Sequence, residues 1–217
     1  MKAAVVLSGC GVYDGAEIHE AVMTLYAIDK AGGTYQVFAP NVMQHHVVNH
    51  ITGKVSEESR NVMTEAARIA RGKIKPMTDY RTEDYDALIF PGGFGVAKNL
   101  CTYASDGADC RVDRVVESAI LETHKAHKPI GAMCISPVLI TRVLCDVTVT
   151  IGNDPDTIAD IAALGGKHEK KGHGEVMTDE KNLIVTTPCY MLEATISDIA
   201  RDAELLVAAI MKLLIKK

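Results

Sequence analysis

A cysteine where a predicted strand meets a predicted helix is the side chain of this sequence best placed for chemistry. Cys134 lies in the segment GAMCISP at 131–137, in which small residues flank a nucleophile. That pattern is typical of a nucleophile elbow, a sharp turn that exposes a side chain at the end of a strand. The N-terminus of the next helix carries partial positive charge, which favours the thiolate. The pattern predicts that Cys134 is a nucleophile, with a buried structural cysteine as the alternative.

A glycine-rich segment, GGFG at 92–95, follows another predicted strand. Glycines leave backbone N–H groups unobstructed. The N–H groups of Gly92 and Gly93, with that of Ile135, are therefore candidates to bind a substrate oxygen beside Cys134. Gly93 is the preferred donor. A tight turn that only glycine permits would also explain these glycines, and both roles can hold at once.

The first glycine-rich loop, GCGVYDG at 9–15, matches a dinucleotide-binding loop only in part. Its third glycine comes one residue late, and the second predicted strand ends at 39–40 in Ala-Pro, without a carboxylate for a ribose. We therefore expect no NAD binding. Tyr13, within this loop, is a secondary site candidate.

The elements that position these residues alternate along the chain. Apolar stripes at helical spacing lie between short apolar runs, and the first stripe comprises Ile18, Ala21, Val22 and Leu25. The runs predicted as strands are 2–9, 35–39, 86–91, 129–133, 147–151 and 182–187. Such alternation predicts an α/β, flavodoxin-like, doubly wound, mostly parallel sheet with helices on both faces. Sites in these sheets lie at the carboxyl ends of the strands, where the glycine-rich segments and Cys134 would meet.

One domain of 217 residues is the simplest organisation for this length. The segment 41–85 departs from simple alternation: it has a histidine-containing loop, a helix predicted over 57–71 and a proline-containing stretch. We predict that it is an insertion on the single domain 1–217.

Composition excludes several classes of function. The net charge of −5 disfavours a nucleic-acid partner, and no apolar run is long enough for a signal peptide or a membrane span. A cytoplasmic protein is expected, or one of an organelle matrix if a targeting segment is absent from this sequence. The six cysteines form no CxxC pair, which favours reduced thiols over a zinc site or disulfides. His45, His46 and His50 are explained by a polar surface loop, so no metal site is expected.

Five sequence blocks resemble one family. They are VVLSGCGVYDGAEIHE, SRNVMTEAARIARGKI, FPGGFGVAKNL, KPIGAMCISPVL and VTTPCYM. Together they are similar to the ElbB family, known as isoprenoid-biosynthesis or glyoxalase-like proteins, within the superfamily of the Parkinsonism-associated deglycase and the PfpI proteases. Asn99, in the third block, is a further secondary site candidate.

The resemblance implies a class I glutamine-amidotransferase-like form of the fold, a homodimer and Cys134 as nucleophile. It also implies a cofactor-free activity on a small aldehyde or dicarbonyl substrate, converting glyoxal to glycolate. A glutamate of the first helix hydrogen-bonds the cysteine in this superfamily, and the match of GAExxE assigns that role to Glu20. Its neighbour Glu17 is a secondary candidate, for which a capping box with Asp14 as N-cap is the simpler role.

Two departures restrict the function. The PfpI proteases carry a histidine directly after the cysteine, and here that position is Ile135, so peptide hydrolysis lacks its general base. His173-Gly174-Glu175 has the spacing of a glutaminase triad but precedes the last predicted strand, which places it poorly. His19 has no assigned role. A non-catalytic redox-sensing or partner-binding thiol protein is the alternative to the glyoxalase-like enzyme.

Overall fold

A seven-stranded sheet forms the centre of the computed structural model, which describes residues 1–215. The strands of the chain are β1 (Lys2–Val6), β2 (Thr34–Ala39), β3 (Val47–Asn49), β4 (Lys54–Ser56), β5 (Ile74–Pro76), β6 (Ala87–Phe90), β7 (Ile130–Met133), β8 (Thr148–Val149), β9 (Lys167–His168), β10 (Met177–Asp179) and β11 (Ile184–Thr187). The order in the sheet is β10-β11-β7-β6-β1-β2-β5. Only the β10–β11 pair of this sheet is antiparallel.

Helices cover both faces of the sheet. They are α1 (Ile18–Lys30), α2 (Val62–Ile69), α3 (Tyr103–Asp106), α4 (Arg114–Lys125), α5 (Ser136–Leu144), α6 (Pro155–Ala163) and α7 (Ile196–Ile215). Successive side chains of a strand point to opposite faces. Val5 of β1 accordingly packs in one buried cluster with residues of α1 and α7, and Val6 packs in a second cluster with residues of α4 and α5. The predicted doubly wound α/β fold is confirmed.

The central strands β6, β7 and β11 are buried along their whole length, as parallel strands covered on both faces must be. In the parallel register Phe90 is opposite Ala132, and Thr187 is opposite Met133. The carboxyl ends of the three strands therefore lie side by side. This arrangement brings the loops after β6, β7 and β11 to one edge of the sheet.

The predicted strand at 147–151 is not part of the central sheet. Only β8 is extended there, and it pairs with β9 in a separate two-stranded parallel sheet. The strand that pairs with β7 on that side is β11, which is buried on both faces. Its other neighbour is β10, the antiparallel strand at the edge of the sheet.

The segment 41–85 contributes to the main sheet as well as lying beside it. It forms the hairpin β3–β4 and a helix shorter than the predicted 57–71, and then β5 pairs with β2 at the edge of the sheet. Pro76 in β5 is compatible with that position, because an edge strand does not need every N–H group for pairing. The expected insertion therefore also supplies an edge strand.

The buried face of α1 differs from the predicted stripe. Ile18 and Val22 are 41% and 42% exposed, whereas Glu20 and Thr24 are fully buried. The hydroxyl of Thr24 is held inside by hydrogen bonds to the Glu20 carbonyl and the Met133 sulphur. The apolar pattern was misleading here because the inward face of this helix carries polar side chains toward the sheet edge.

Within residues 1–215 no helix has the length and apolar character needed to cross a bilayer.

Candidate active site at the carboxyl ends of the strands

Cys134 lies between the last residue of β7 and the first turn of α5. Its φ of 58° is in the left-handed region, which non-glycine residues adopt at a cost. The turn is held on one side by the bond from the Cys134 N–H to the Thr187 carbonyl (3.0 Å) and on the other by the Ser136 hydroxyl, which donates to the Pro91 carbonyl (2.8 Å). This is the geometry of a nucleophile elbow.

Glu20 is the buried acid beside that cysteine. Its carboxyl group is fully inaccessible and hydrogen-bonds the Cys134 thiol. One oxygen, Oε2, accepts from the Gly92 N–H (2.8 Å), and the other, Oε1, accepts from the Tyr190 N–H (3.2 Å). Burial and the nearby charge of Glu17 raise the pKa of Glu20 to about 8, although the two N–H donors lower it. Glu20 therefore changes its protonation state near neutral pH.

The thiol of Cys134 is not the low-pKa thiolate that the helix terminus suggested. Burial and the negative charge of Glu20 raise the pKa of Cys134 well above its ordinary value. The N–H groups of Gly93 and Ile135 hydrogen-bond the sulphur and lower the pKa, but they do not compensate for burial. The expectation of a thiolate stabilised in the resting protein is wrong, because desolvation exceeds the effect of two backbone dipoles. Cys134 and Glu20 therefore compete for a single negative charge.

The two glycines after β6 are required by the close packing of this site. A Cβ on Gly92 would lie 2.3 Å from the Cβ of Cys134 and 2.5 Å from Oε2 of Glu20. Gly93 has a φ of 102°, and a Cβ there would lie 2.3 Å from the backbone nitrogen of Glu17. The N–H of Gly92 is already bonded to Glu20, so the prediction that it binds a substrate oxygen is wrong. Its N–H holds the acid instead.

Gly93 and Ile135, the other two predicted donors, direct their N–H groups at the Cys134 sulphur. An oxygen on a carbon bonded to that sulphur would lie close to both groups. The pair is therefore suited to stabilise developing negative charge next to the nucleophile.

Glu17 has a structural role at the start of α1. It is the N-cap of the helix, and its Oε2 accepts from the Glu20 N–H at 2.7 Å. The predicted N-cap, Asp14, is instead in the preceding loop, where its Oδ2 accepts from the Val48 N–H. The predicted capping box is wrong because it placed the N-cap at Asp14, three residues too early, whereas the helix begins only at Ile18. Glu17 thus positions Glu20 and adds a negative charge beside it.

The secondary candidates Tyr13 and Asn99 do not line the cavity of Cys134. Tyr13 is 41% exposed, and its ring packs on the ring of His50. The side chain of Asn99 fixes the loop after β1: its amide donates to the carbonyls of Ser8 and Asp14, and its Oδ1 accepts from the N–H of His45. Both residues support the shape of the neighbouring loops.

A cavity of about 390 Å³ opens above the sulphur. Its lining is largely apolar, with polar side chains at one side, and includes Val12, Phe94, Ala97, Ile135, Met191, Tyr103, Asp154, Thr157 and Tyr190. The sequence reasoning missed Tyr103 and Tyr190. Tyr190 follows the carboxyl end of β11, so the rule that sites lie at strand ends was sufficient to find it. Tyr103 is in α3, far from any predicted strand end, and no sequence signal marked it.

Two histidines take part in hydrogen bonds near the ends of α1 and α7. Nδ1 of His19 lies 2.8 Å from the hydroxyl of Tyr190, so His19 contacts a residue of the Cys134 cavity. His173 uses both ring nitrogens, one with Asp202 (2.9 Å) and one with the Glu193 carbonyl (2.9 Å). A histidine engaged in this way is not available to Cys134, which agrees with the poor placement expected for a glutaminase triad.

The comparisons with known proteins agree with this architecture. No protein-family model matches the chain. A human protein, glutamine amidotransferase-like class 1 domain-containing protein 3, mitochondrial, is 50% identical over 205 residues, which cover 90% of this chain and 76% of the human one. The crystal structure of an isoprenoid biosynthesis protein with an amidotransferase-like domain from Ehrlichia chaffeensis has a TM-score of 0.93 and 34% identity, covering 99% of each chain.

A more distant solved structure shares the fold. Glyoxalase III from Candida albicans has a TM-score of 0.61 at 17% identity, covering 96% of this chain and 97% of that one. The fold family thus includes enzymes. With the human and Ehrlichia relatives at 50% and 34% identity over most of their lengths, the chain belongs to the ElbB-like family of isoprenoid-biosynthesis proteins with an amidotransferase-like domain.

Proposed function

We propose that the protein is a cysteine-dependent, cofactor-free glyoxalase-like enzyme that converts glyoxal-type dicarbonyls to hydroxy acids. The observation that supports this most is the contact of the Cys134 thiol with the buried carboxyl group of Glu20, beneath the N–H groups of Gly93 and Ile135. The reaction needs a nucleophile, a group that moves protons between adjacent atoms, and donors for an oxyanion. These four residues supply all three at one end of the cavity.

In the first step the sulphur of Cys134 adds to one aldehyde carbon of glyoxal. The thiol proton passes to the carboxylate of Glu20, and the aldehyde oxygen takes the electron pair of its double bond. The N–H groups of Gly93 and Ile135 stabilise that oxygen until Glu20 returns the proton, which gives a hemithioacetal. Only the ionised form of Glu20 can accept the proton, and a pKa of about 8 makes that form a minor one at neutral pH.

In the second step Glu20 removes the hydrogen from the carbon bonded to sulphur. The electron pair forms a carbon–carbon double bond, and the neighbouring aldehyde oxygen takes the electron pair of its own double bond, which gives an enediolate. Glu20 returns the proton to the neighbouring carbon, and the hydroxyl proton of the carbon bonded to sulphur passes to the neighbouring oxygen, which gives a thioester of glycolate. Water then hydrolyses the thioester, releasing glycolate and the Cys134 thiol. Glyoxal and one water give one glycolate, so no oxidant, reductant or cofactor is consumed.

The redox-sensing alternative needs an accessible thiol of low pKa. Cys134 is only 8% exposed, and burial raises the pKa of its thiol. Both features favour the enzyme over the sensor.

The test is steady-state turnover of glyoxal by the purified protein, with glycolate measured by chromatography. Many equivalents of glycolate per protein, absent in Cys134→Ala, support the enzyme. A single modification of Cys134 without further product would reject the enzyme and support the sensor.

The setting of the enzyme is also a proposal. The human relative is named mitochondrial, which supports an organelle matrix as the compartment over the cytoplasm.

An exposed apolar strip along α1 supports the expected homodimer. It consists of Ile18, Val22 and Tyr26, which are between 41% and 46% accessible. Analytical ultracentrifugation of the protein and of Val22→Arg tests the dimer, since a charge in a buried strip shifts it to monomer.

A further inference from the structure

A second cavity lies apart from the one above Cys134. It has a volume of about 560 Å³ and lies between the segment 98–102, the start of α4 and Arg142 of α5. No residue lines both this cavity and that of Cys134. Its size is within the range of small-molecule sites.

The charged side chains around this second cavity are mainly positive. They are Lys98, Arg111, Arg114 and Arg142, with Asp113 and Glu117. Four cations and two carboxylates leave an excess of two positive charges. The whole chain has a net charge of −5, so this is a local concentration of positive charge on an acidic protein.

The cations are poorly neutralised by the described part of the chain. The Nε of Arg142 donates to the Cys110 carbonyl at 2.7 Å, which leaves the ends of its guanidinium group free of carboxylates. Arg111 approaches Asp106 only at 3.8 Å, beyond hydrogen-bond distance. The carboxylate of Asp113 is used by its own helix, since it accepts the N–H groups of Val115 and Val116 as the N-cap of α4.

Lys98 lines the same cavity, although the two groups that its ammonium contacts, the Tyr13 carbonyl and the Phe94 ring, lie outside that lining. Its Nζ donates to the Tyr13 carbonyl at 2.7 Å and lies 5.3 Å from the centre of the Phe94 ring, and it forms no ion pair in the described structure. Burial lowers the pKa of Lys98. A nearby anion would compensate for the cost of keeping this group charged.

We propose that this cavity binds a phosphorylated small molecule. A phosphate monoester carries a charge near −2 at neutral pH, which matches the excess of two positive charges. Arginine guanidinium groups bind phosphate oxygens through two parallel hydrogen bonds, and three arginines surround this cavity. The volume leaves room for an organic group beyond the phosphate. The site is independent of the glyoxalase-like chemistry, because it shares no lining residue with the Cys134 cavity.

Isothermal titration calorimetry with inorganic pyrophosphate at low ionic strength tests the proposal. We expect saturable binding to the full-length protein with one site per chain. The double substitution Arg111→Gln with Arg114→Gln removes two exposed guanidinium groups, and it should weaken pyrophosphate binding by about tenfold or more, as loss of charge-assisted hydrogen bonds does.

The matched control is Lys73→Gln with Lys75→Gln, which removes the same charge from two exposed positions outside the cavity. It should bind pyrophosphate as the parent protein does. Thermal unfolding without pyrophosphate checks that both double variants fold, and Arg114→Glu provides a single substitution with the same expected direction. The proposal is overturned if pyrophosphate gives no saturable heat, or if the lysine control loses as much affinity as the arginine variant.

Discussion

Replacing Glu20 by glutamine separates proton transfer from the other roles of this side chain. The variant keeps the size of the group and a hydrogen-bond donor to Cys134, but it cannot accept the thiol proton or move a proton between the two carbons of the adduct. General acid–base groups contribute about 10² to 10⁴-fold to enzymatic rates. Glu20→Gln should therefore lower kcat/KM for glyoxal by at least about a hundredfold.

The same substitution changes the pH dependence of folding stability. The pKa of Glu20 is about 8 in the folded protein and ordinarily 4.5. Because the folded value is the higher one, the unfolded chain loses its proton first, and stability falls as pH rises through this window. The slope is about 1.4 kcal/mol per pH unit, which corresponds to a cost of about 3 kcal/mol at pH 7. Glutamine has no such cost, so the stability of the variant relative to the parent should increase by about 2 kcal/mol between pH 6 and pH 8.

The assay combines glyoxal turnover with urea unfolding of both proteins at pH 6, 7 and 8. Glu17→Gln is the matched control: it retains an oxygen to accept the Glu20 N–H but removes the charge that raises the pKa of Glu20. It should retain or increase the activity at pH 7, because a lower pKa of Glu20 leaves more of that carboxyl group ionised. If Glu20→Gln turns over glyoxal as the parent does, the catalytic role of Glu20 is refuted. A constant stability difference across the three pH values would refute its raised pKa.

Three further outcomes are expected. The kcat/KM for glyoxal should rise about tenfold per pH unit up to a pH near 8 and then level, because only ionised Glu20 accepts the thiol proton; a flat profile from pH 6 to 9 contradicts this. Gly92→Ala should abolish turnover and destabilise the fold by about 2 kcal/mol or more in urea titrations, because the added Cβ would lie 2.3 Å from the Cβ of Cys134. The control Gly172→Ala should be nearly neutral, because its added Cβ would have no atom nearer than 3.5 Å. Iodoacetamide should label the exposed Cys145 before Cys134, as peptide mapping can show; faster labelling of Cys134 would mean that its thiolate is more populated than burial allows.

Much of the fold of this protein can be predicted from local sequence patterns. The short apolar runs and helical stripes predicted the doubly wound sheet because a strand buried on both faces must be apolar along its length. The junction at Cys134 and the glycines of 92–95 were visible because turns of that kind restrict which residues can occupy them. The rule that sites lie at strand ends then brought Cys134 and these glycines together.

Tertiary packing decided what those residues do. Whether Cys134 is a thiolate depends on burial and on a carboxylate 114 positions away in sequence, neither of which its own turn reveals. The N–H of Gly92 was expected to bind substrate, but it donates instead to the carboxyl group of Glu20, which lies on the inward face of α1. The sequence by itself determined the fold and the candidate nucleophile, since these depend on local pattern. The ionisation of the site and the use of each donor depend on desolvation and distance, which exist only once the chain is packed.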